Sequence, residues 1–138
     1  IPNLAIGAPA DAQELASMLA TALDHDGPVA IRYPKGSADA LPELPAEPFT
    51  IGEWDRLTEG EDVLLLATGK TVEAAHKAAG LVDASVTVVN ARWVKPMDPR
   101  LPSWAAAHGH VTTRNCAAAA NVLQMNWRTF ICCHPRSS

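Results

Sequence analysis

Apolar residues in the first part of the chain recur at helical spacing. Five of them fall at i, i+3, i+4, i+7 and i+8: Leu15, Met18, Leu19, Ala22 and Leu23. This spacing places them on one stripe of an α-helix, and we expect the stripe to be buried because it must pack against another element. Apolar stretches over residues 3–8 and 29–31 predict strands on either side of the helix.

The predicted helix has signals at both ends. Asp11 suits the N-cap, where its carboxylate accepts hydrogen bonds from backbone N–H groups of the first turn. Glu14, three residues later, is expected to reach back and complete a capping box. The sequence from His25 to Pro28 ends the helix, since proline cannot continue it.

A second series of elements follows further along the chain. Residues 63–68 begin with a run of five apolar side chains, which is typical of a strand covered on both faces. A helix over residues 71–82 and an apolar strand over residues 86–89 come next. Strand, helix and strand within about 30 residues form a βαβ unit, so the two strands are predicted to be parallel.

The last predicted helix begins at Asp98 and Pro99. Aspartate suits the N-cap, and proline suits the first helical position because its missing N–H costs nothing there. The helix is expected to run to about residue 108, and residues 111–113 predict a further strand.

Between the two series, residues 37–60 have the composition of a linker. Three prolines, at positions 42, 45 and 48, make its first half extended and semi-rigid. Residues 49–51 and 53–54 predict a short strand near its end.

Composition and charge narrow the classes of function. The 138 residues carry a formal net charge of −4, which argues against nucleic acid as the main partner. The longest apolar run is far short of the roughly 20 residues that a membrane span needs. The missing initiator Met predicts that the chain begins partway through a longer protein. The three cysteines make no disulfide framework, which favours a reducing, cytoplasmic setting.

Arg32 has the most informative position for binding. It directly follows the apolar strand at residues 29–31, and ligands of open parallel α/β sheets bind at the carboxyl ends of the strands. Its guanidinium offers a rigid fork for phosphate oxygens, and Lys35 adds a point charge. An ion pair with a nearby carboxylate explains Arg32 equally well, so the residues alone leave both interpretations open.

Other candidate groups carry less information. The sequence Gly69-Lys70-Thr71 is similar to the end of a phosphate loop, but that motif needs a glycine where Leu64 stands. At most, a simple anion is expected to bind at this turn. The histidines and late cysteines do not have the spacing of a standard metal site, so we predict structural roles for the histidines and no metal site.

Two long motifs, in this order and separated by the linker, resemble the 1-deoxy-D-xylulose-5-phosphate synthase family of transketolase-like, thiamine-diphosphate enzymes. The first runs from Gly27 to Gly36 and is preceded by Ile1-Pro2-Asn3 and Ala8-Pro9. It is similar to the end of the family's pyrimidine-binding domain. The second, Thr58 to Gly69 followed by Val86 to Asp98, is similar to the start of the C-terminal domain.

The resemblance implies an α/β fold in four segments. Residues 1–36 end a partial parallel-sheet domain, the pyrimidine-binding domain, and residues 37–60 are the linker. Residues 61–113 form a partial, three-layer domain like the C-terminal domain of transketolase. Residues 114–138 have no likeness to the family and contain no acidic residue. We interpret them as a shifted reading frame or an unrelated end, and expect them to be poorly ordered.

The resemblance also implies an activity. The family condenses pyruvate with glyceraldehyde 3-phosphate, with loss of carbon dioxide, to give 1-deoxy-D-xylulose 5-phosphate for isoprenoid, thiamine and pyridoxal biosynthesis. It works as a homodimer with thiamine diphosphate and Mg²⁺. The arginine of its Arg-Tyr-Pro motif binds the phosphate of the aldehyde, which implies this role for Arg32 and, more weakly, for Lys35.

The residues that bind and activate the cofactor in the family have no counterpart in this chain. We therefore predict that the chain contains no catalytic residue and binds neither cofactor alone. It is also expected to be inactive by itself. Two alternatives stay open at this point: a piece similar to the β subunit of a 2-oxoacid dehydrogenase, and a non-catalytic interaction or anion-binding module.

Overall fold

The computed structural model describes residues 1–35, 40 and 42–114 of the chain. Its strands are Ala5–Gly7 (β1), Val29–Ile31 (β2), Asp55–Arg56 (β3), Val63–Ala67 (β4), Val86–Asn90 (β5), Trp93–Lys95 (β6) and His110–Arg114 (β7). Its helices are Ala12–Asp24 (α1), Thr71–Ala79 (α2) and Leu101–Ala107 (α3). The predicted α/β class is confirmed. Within these ranges, none of the helices has the length and apolarity that a bilayer crossing requires.

The strands form two sheets. In the first, of order β2-β1-β6, β1 lies parallel to β2 and antiparallel to β6. In the second, of order β3-β5-β4-β7, β4 lies parallel to both β5 and β7, and β3 is antiparallel to β5. The predicted βαβ unit is confirmed, since β4, α2 and β5 follow one another and the two strands are parallel with Val63 opposite Val86.

The main core joins the two sheets. The side chains of Met18 from α1 and Trp93 from β6 are fully buried, together with Leu64 and Val89 of the second sheet. Because β6 adds to the sheet of β1, residues from both halves of the sequence build one continuous core. A second, smaller core lies between α2 and its sheet and centres on Val72 and Val88.

The buried face of α1 differs from the predicted apolar stripe. Its buried residues are Glu14, Ser17, Met18 and Thr21. Leu19 and Leu23, which we expected to be buried, are 50% and 89% exposed. A polar contact with another segment holds this face inwards, because Thr21 Oγ1 accepts from the backbone N–H of Phe49 (2.7 Å), while its bond to Ser17 O (2.7 Å) stays within the helix.

The short strand predicted over residues 49–54 is also wrong. The strand found here is β3, which begins at Asp55, one residue after the predicted strand was expected to end, and which pairs with β5. Residues 49–54 are held by hydrogen bonds to two side chains, and not by pairing with a neighbouring strand. The Phe49 N–H donates to Thr21 Oγ1, and the Trp54 N–H donates to Asp98 Oδ2 (2.8 Å).

The third helix begins at Leu101, and not at Pro99 as predicted. Asp98 instead closes a tight turn, in which its Oδ1 accepts from the Arg100 N–H (2.8 Å) and its backbone oxygen accepts from the Leu101 N–H (3.1 Å). The prediction of a poorly ordered tail concerns residues 114–138, which lie outside the described residues except for Arg114 at the end of β7.

Candidate functional site

Arg32 lies at the carboxyl end of β2, as its sequence position predicts. Its backbone N–H donates to the oxygen of Gly7, the last residue of β1 (2.8 Å). The side chains of Arg32 and Lys35 are both exposed. The structure therefore presents these two cations where two parallel strands end together.

A second arginine flanks the same strand end from the other side. The Ala8 N–H, directly after β1, donates to the backbone oxygen of Arg92 (2.8 Å). Since β1 is the central strand, Arg32 and Arg92 stand about two strand spacings apart, roughly 10 Å. Arginine side chains are long enough to converge on one small anion across that distance.

The turn after β4 approaches the same place. Gly69 adopts φ +59°, a conformation that favours glycine. A Cβ atom added to Gly69 would lie 3.9 Å from the Ala8 Cβ and 3.7 Å from the Pro9 oxygen. The exposed Lys70 follows in this turn, so the ends of β1, β2 and β4 bring cationic residues to one edge of the molecule.

A buried carboxylate connects these elements. Glu14 Oε2 accepts from the Ala10 N–H (2.8 Å), while Oε1 accepts from Asn90 Nδ2 (2.7 Å) and pairs with Arg92 Nη2 (2.9 Å). The predicted capping box is half right: Asp11 Oδ1 accepts from the Glu14 N–H (2.8 Å), but Glu14 reaches Ala10 and not Asp11. The reason is that Glu14 also turns inwards to meet the second sheet.

Arg92 is almost entirely covered. Its Nη2 also contacts Asp55 Oδ2 (3.2 Å), and its guanidinium carbon lies 4.2 Å from the centre of the Phe49 ring. Its side chain is 12% exposed. Among the described residues, nothing accepts a hydrogen bond from its buried Nε. One donor of this guanidinium is therefore unused within the described part of the chain.

Asp98 holds a separate polar cluster. Its carboxylate accepts from the Trp54 and Arg100 backbone N–H groups and from Nε and Nη2 of the Arg100 side chain, at 2.6–2.9 Å. Burial opposes ionisation of Asp98, but the Arg100 side chain and the two backbone donors outweigh it and lower the pKa of Asp98 to about 2. This cluster connects the turn before α3 to Trp54, so its role is structural.

His108 has a structural position, as predicted for the histidines. Its Nδ1 lies 2.6 Å from the Trp104 oxygen, and its Nε2 lies 2.8 Å from Thr87 Oγ1. The ring thus joins the end of α3 to β5. Within residues 1–35, 40 and 42–114, no three His, Cys, Asp or Glu side chains are placed to hold a metal ion.

Sequence reasoning finds Arg32 and Lys35 but misses Glu14, Asn90 and Arg92. The sequence pattern assigns Glu14 a local capping role, whereas its two further partners are 76 and 78 positions away. One feature of the sequence could have indicated these distant partners. Glu14 lies beside the apolar face of a helix that is already predicted to pack against another element, so its side chain could be expected to meet that element.

Comparisons with known proteins support the resemblance. The family model described as the C-terminal domain of transketolase matches residues 52–124. It therefore begins within the predicted linker and extends past residue 113. A 1-deoxy-D-xylulose-5-phosphate synthase from Thermus thermophilus is 49% identical over 98 residues, and one from Magnetococcus marinus is 44% identical over 114 residues.

These alignments cover most of this chain and a small part of each relative. They include 71% and 80% of the chain but only 16% and 18% of the two synthases. Among solved structures, a split-gene transketolase, described as an inactive β4 tetramer, matches with a TM-score of 0.73 and 28% identity. That match covers 94% of this chain and 47% of the other.

Proposed function

Because the chain belongs to the family of transketolase C-terminal domains, we propose that it forms part of an enzyme that makes 1-deoxy-D-xylulose 5-phosphate. The complete enzyme condenses pyruvate with glyceraldehyde 3-phosphate and releases one carbon dioxide. The similarity to named synthases on both sides of the linker supports this activity over that of a 2-oxoacid dehydrogenase. The product would serve isoprenoid, thiamine and pyridoxal biosynthesis in the cytoplasm.

Within this activity, we assign the phosphate of the aldehyde substrate to Arg32. The observation that carries this assignment is the position of Arg32, which is exposed at a shared strand end with Arg92 on the opposite side of β1. The planar guanidinium of Arg32 matches two phosphate oxygens. Arg92 adds positive charge from the opposite side of β1, and Lys35 adds a further exposed charge. Binding here orients the aldehyde by its phosphate and leaves its carbonyl for the reaction.

Thiamine diphosphate and Mg²⁺ belong, in this proposal, to parts of the enzyme outside this chain. The resemblance supports this division, because the family's cofactor motifs precede the matched region. The buried carboxylate at the candidate site also does not fit Mg²⁺, because Glu14 is already engaged by the Ala10 N–H, Asn90 and Arg92. We therefore derive no chemical step through the cofactor. A homodimer is proposed from the resemblance alone.

Replacing Arg32 with alanine is expected to weaken binding of inorganic phosphate and glyceraldehyde 3-phosphate to the chain by about ten- to a hundredfold. The reason is that a charge-assisted contact of about 1.5–3 kcal/mol is lost. Titration of the isotope-labelled chain followed by NMR measures the two dissociation constants. Arg56→Ala is the matched control, because Arg56 is a surface arginine of β3 that pairs only with nearby Glu59 among the contacts described. Equal affinities of the Arg32 and Arg56 variants would disprove the assignment.

The isolated chain is expected to release no carbon dioxide from pyruvate when thiamine diphosphate and Mg²⁺ are supplied. The activating groups for the cofactor lie, by this proposal, elsewhere in the enzyme. The similar split-gene transketolase subunit, which is described as inactive, supports this expectation. A carbon dioxide assay against a complete synthase as positive control measures it. Turnover by the chain above the protein-free rate would contradict the division of roles.

A further inference from the structure

We propose that Glu14 is a positioning residue for the phosphate site, an inference that rests on the proposed function. Its carboxylate holds the turn between β1 and α1 against the residues that follow β5. In doing so it sets the distance between the guanidinium groups of Arg32 and Arg92. Glu14 itself does not touch the substrate.

The contacts of Glu14 reach three residues in two segments. They are Ala10 in the turn before α1, through its N–H, and Asn90 and Arg92 where β5 leads into β6, through Nδ2 and Nη2, all at 2.7–2.9 Å. A buried carboxylate with three donors has little freedom to move, since any displacement lengthens at least one charge-assisted bond. Glu14 is therefore a fixed point between the two halves of the chain.

The path from Glu14 to each arginine is short. On one side, Ala10 is two residues from Ala8, and the preceding Gly7 accepts the Arg32 N–H. On the other side, Glu14 contacts the Arg92 guanidinium directly. The hydrogen bond from the Ala8 N–H to the Arg92 backbone oxygen also connects these two sides. Moving Glu14 would therefore change both the rotamer of Arg92 and the position of β1, whose Gly7 oxygen accepts the Arg32 N–H.

Glu14 is better suited to this role than the other carboxylate on Arg92. The Asp55 side chain is 58% exposed and lies 3.2 Å from Nη2, whereas the Glu14 side chain is 12% exposed and lies 2.9 Å from it. Solvent screens and competes with the exposed pair much more than with the buried one. Both carboxylates contact the same nitrogen, Nη2, and the buried Glu14 contact is the shorter of the two.

The test measures binding of inorganic phosphate to the 138-residue chain by NMR titration. Glu14→Gln is expected to weaken binding at least tenfold, because the amide cannot hold both Arg92 and the Ala10 N–H as the carboxylate does. Glu73→Gln, which removes an exposed carboxylate paired with Lys77, is the matched control and should bind as the unmodified chain does. Glu14→Asp, which keeps the charge on a shorter side chain, tests the same point if Glu14→Gln does not fold.

A double-mutant cycle separates positioning from general stabilisation. If Glu14 acts through Arg92, then Glu14→Gln should weaken phosphate binding much less in an Arg92→Ala background than in the unmodified chain. Full additivity, or unchanged affinity of the Glu14→Gln and Glu14→Asp variants while Arg32→Ala weakens binding, would overturn the positioning role alone. If the unmodified chain binds no phosphate, or if Arg32→Ala has no effect, the proposed function fails together with it.

Discussion

Replacing Gly60 with alanine is expected to destabilise the folded chain by about 3 kcal/mol, the upper end of the usual cost of overpacking. An added Cβ atom would lie 2.4 Å from the Val86 nitrogen and 2.5 Å from the Ser85 carbonyl carbon. These neighbours are backbone atoms at the start of a central strand, so they have no side-chain rotation by which to yield. Gly60 is required for space, because its φ angle is not in the positive region.

The hydrogen bonds of Gly60 make a local shift costly. Its N–H donates to Thr87 Oγ1 (2.9 Å), and the same hydroxyl donates back to its oxygen (2.8 Å). Moving residue 60 away from Val86 would therefore break a partly buried pair of bonds between Gly60 and Thr87 of β5. The chain therefore cannot relieve the clash and keep both of these hydrogen bonds.

Gly80→Ala is the matched control for this substitution. Gly80 follows α2 with φ −76°, and an added Cβ would meet nothing closer than the Lys77 oxygen at 3.6 Å. We expect this variant to be neutral or slightly more stable, since alanine lowers the entropy of the unfolded chain. Urea denaturation of both variants and the unmodified chain measures the free energies of unfolding. Equal stabilities of the two variants would show that the chain around Gly60 adjusts without cost.

The parts of this fold that could be predicted are those with local causes. The unit β4–α2–β5 follows from two apolar runs and the helical segment between them, all within residues 63–90. The position of Arg32 follows in the same way, because it directly succeeds a strand. In each case, the residues that determine the structure are neighbours in the sequence.

The errors arose where distant residues determine the structure. The face of α1 is set by Glu14 and Thr21, whose partners Asn90 and Phe49 lie 76 and 28 positions away. Buried polar groups must be paired, and this requirement outweighed the burial of Leu19 and Leu23. No periodicity in the sequence encodes such pairs. Only half of the candidate site could be predicted for the same reason, since Arg92 reaches the end of β1 through the pairing of β1 with β6, which lies far along the chain.

Replacing Asp98 with asparagine is expected to lower the free energy of unfolding by about 2 kcal/mol at pH 7. The ordinary pKa of an aspartate carboxyl is 3.8, whereas the pKa of Asp98 is about 2 in the folded chain, and each unit of that difference corresponds to about 1.4 kcal/mol. Asparagine keeps the size of the side chain but cannot carry the charge that Arg100 and the Trp54 N–H stabilise. Asp62→Asn is the matched control, because Asp62 is an exposed aspartate whose carboxylate accepts one bond, from the Ser85 N–H.

The dependence of this loss on pH identifies its cause. Because the folded chain lowers the pKa of Asp98, the ionised carboxylate contributes its full stabilisation above about pH 4 and loses it as the pH falls towards 2. The difference in stability between the unmodified chain and Asp98→Asn should therefore stay constant from about pH 7 to about pH 5 and shrink steadily below about pH 4. Urea denaturation at intervals of half a pH unit measures this. A difference that persists unchanged at about pH 2.5 would mean that the shape of the side chain, and not its charge, holds Trp54 to the start of α3.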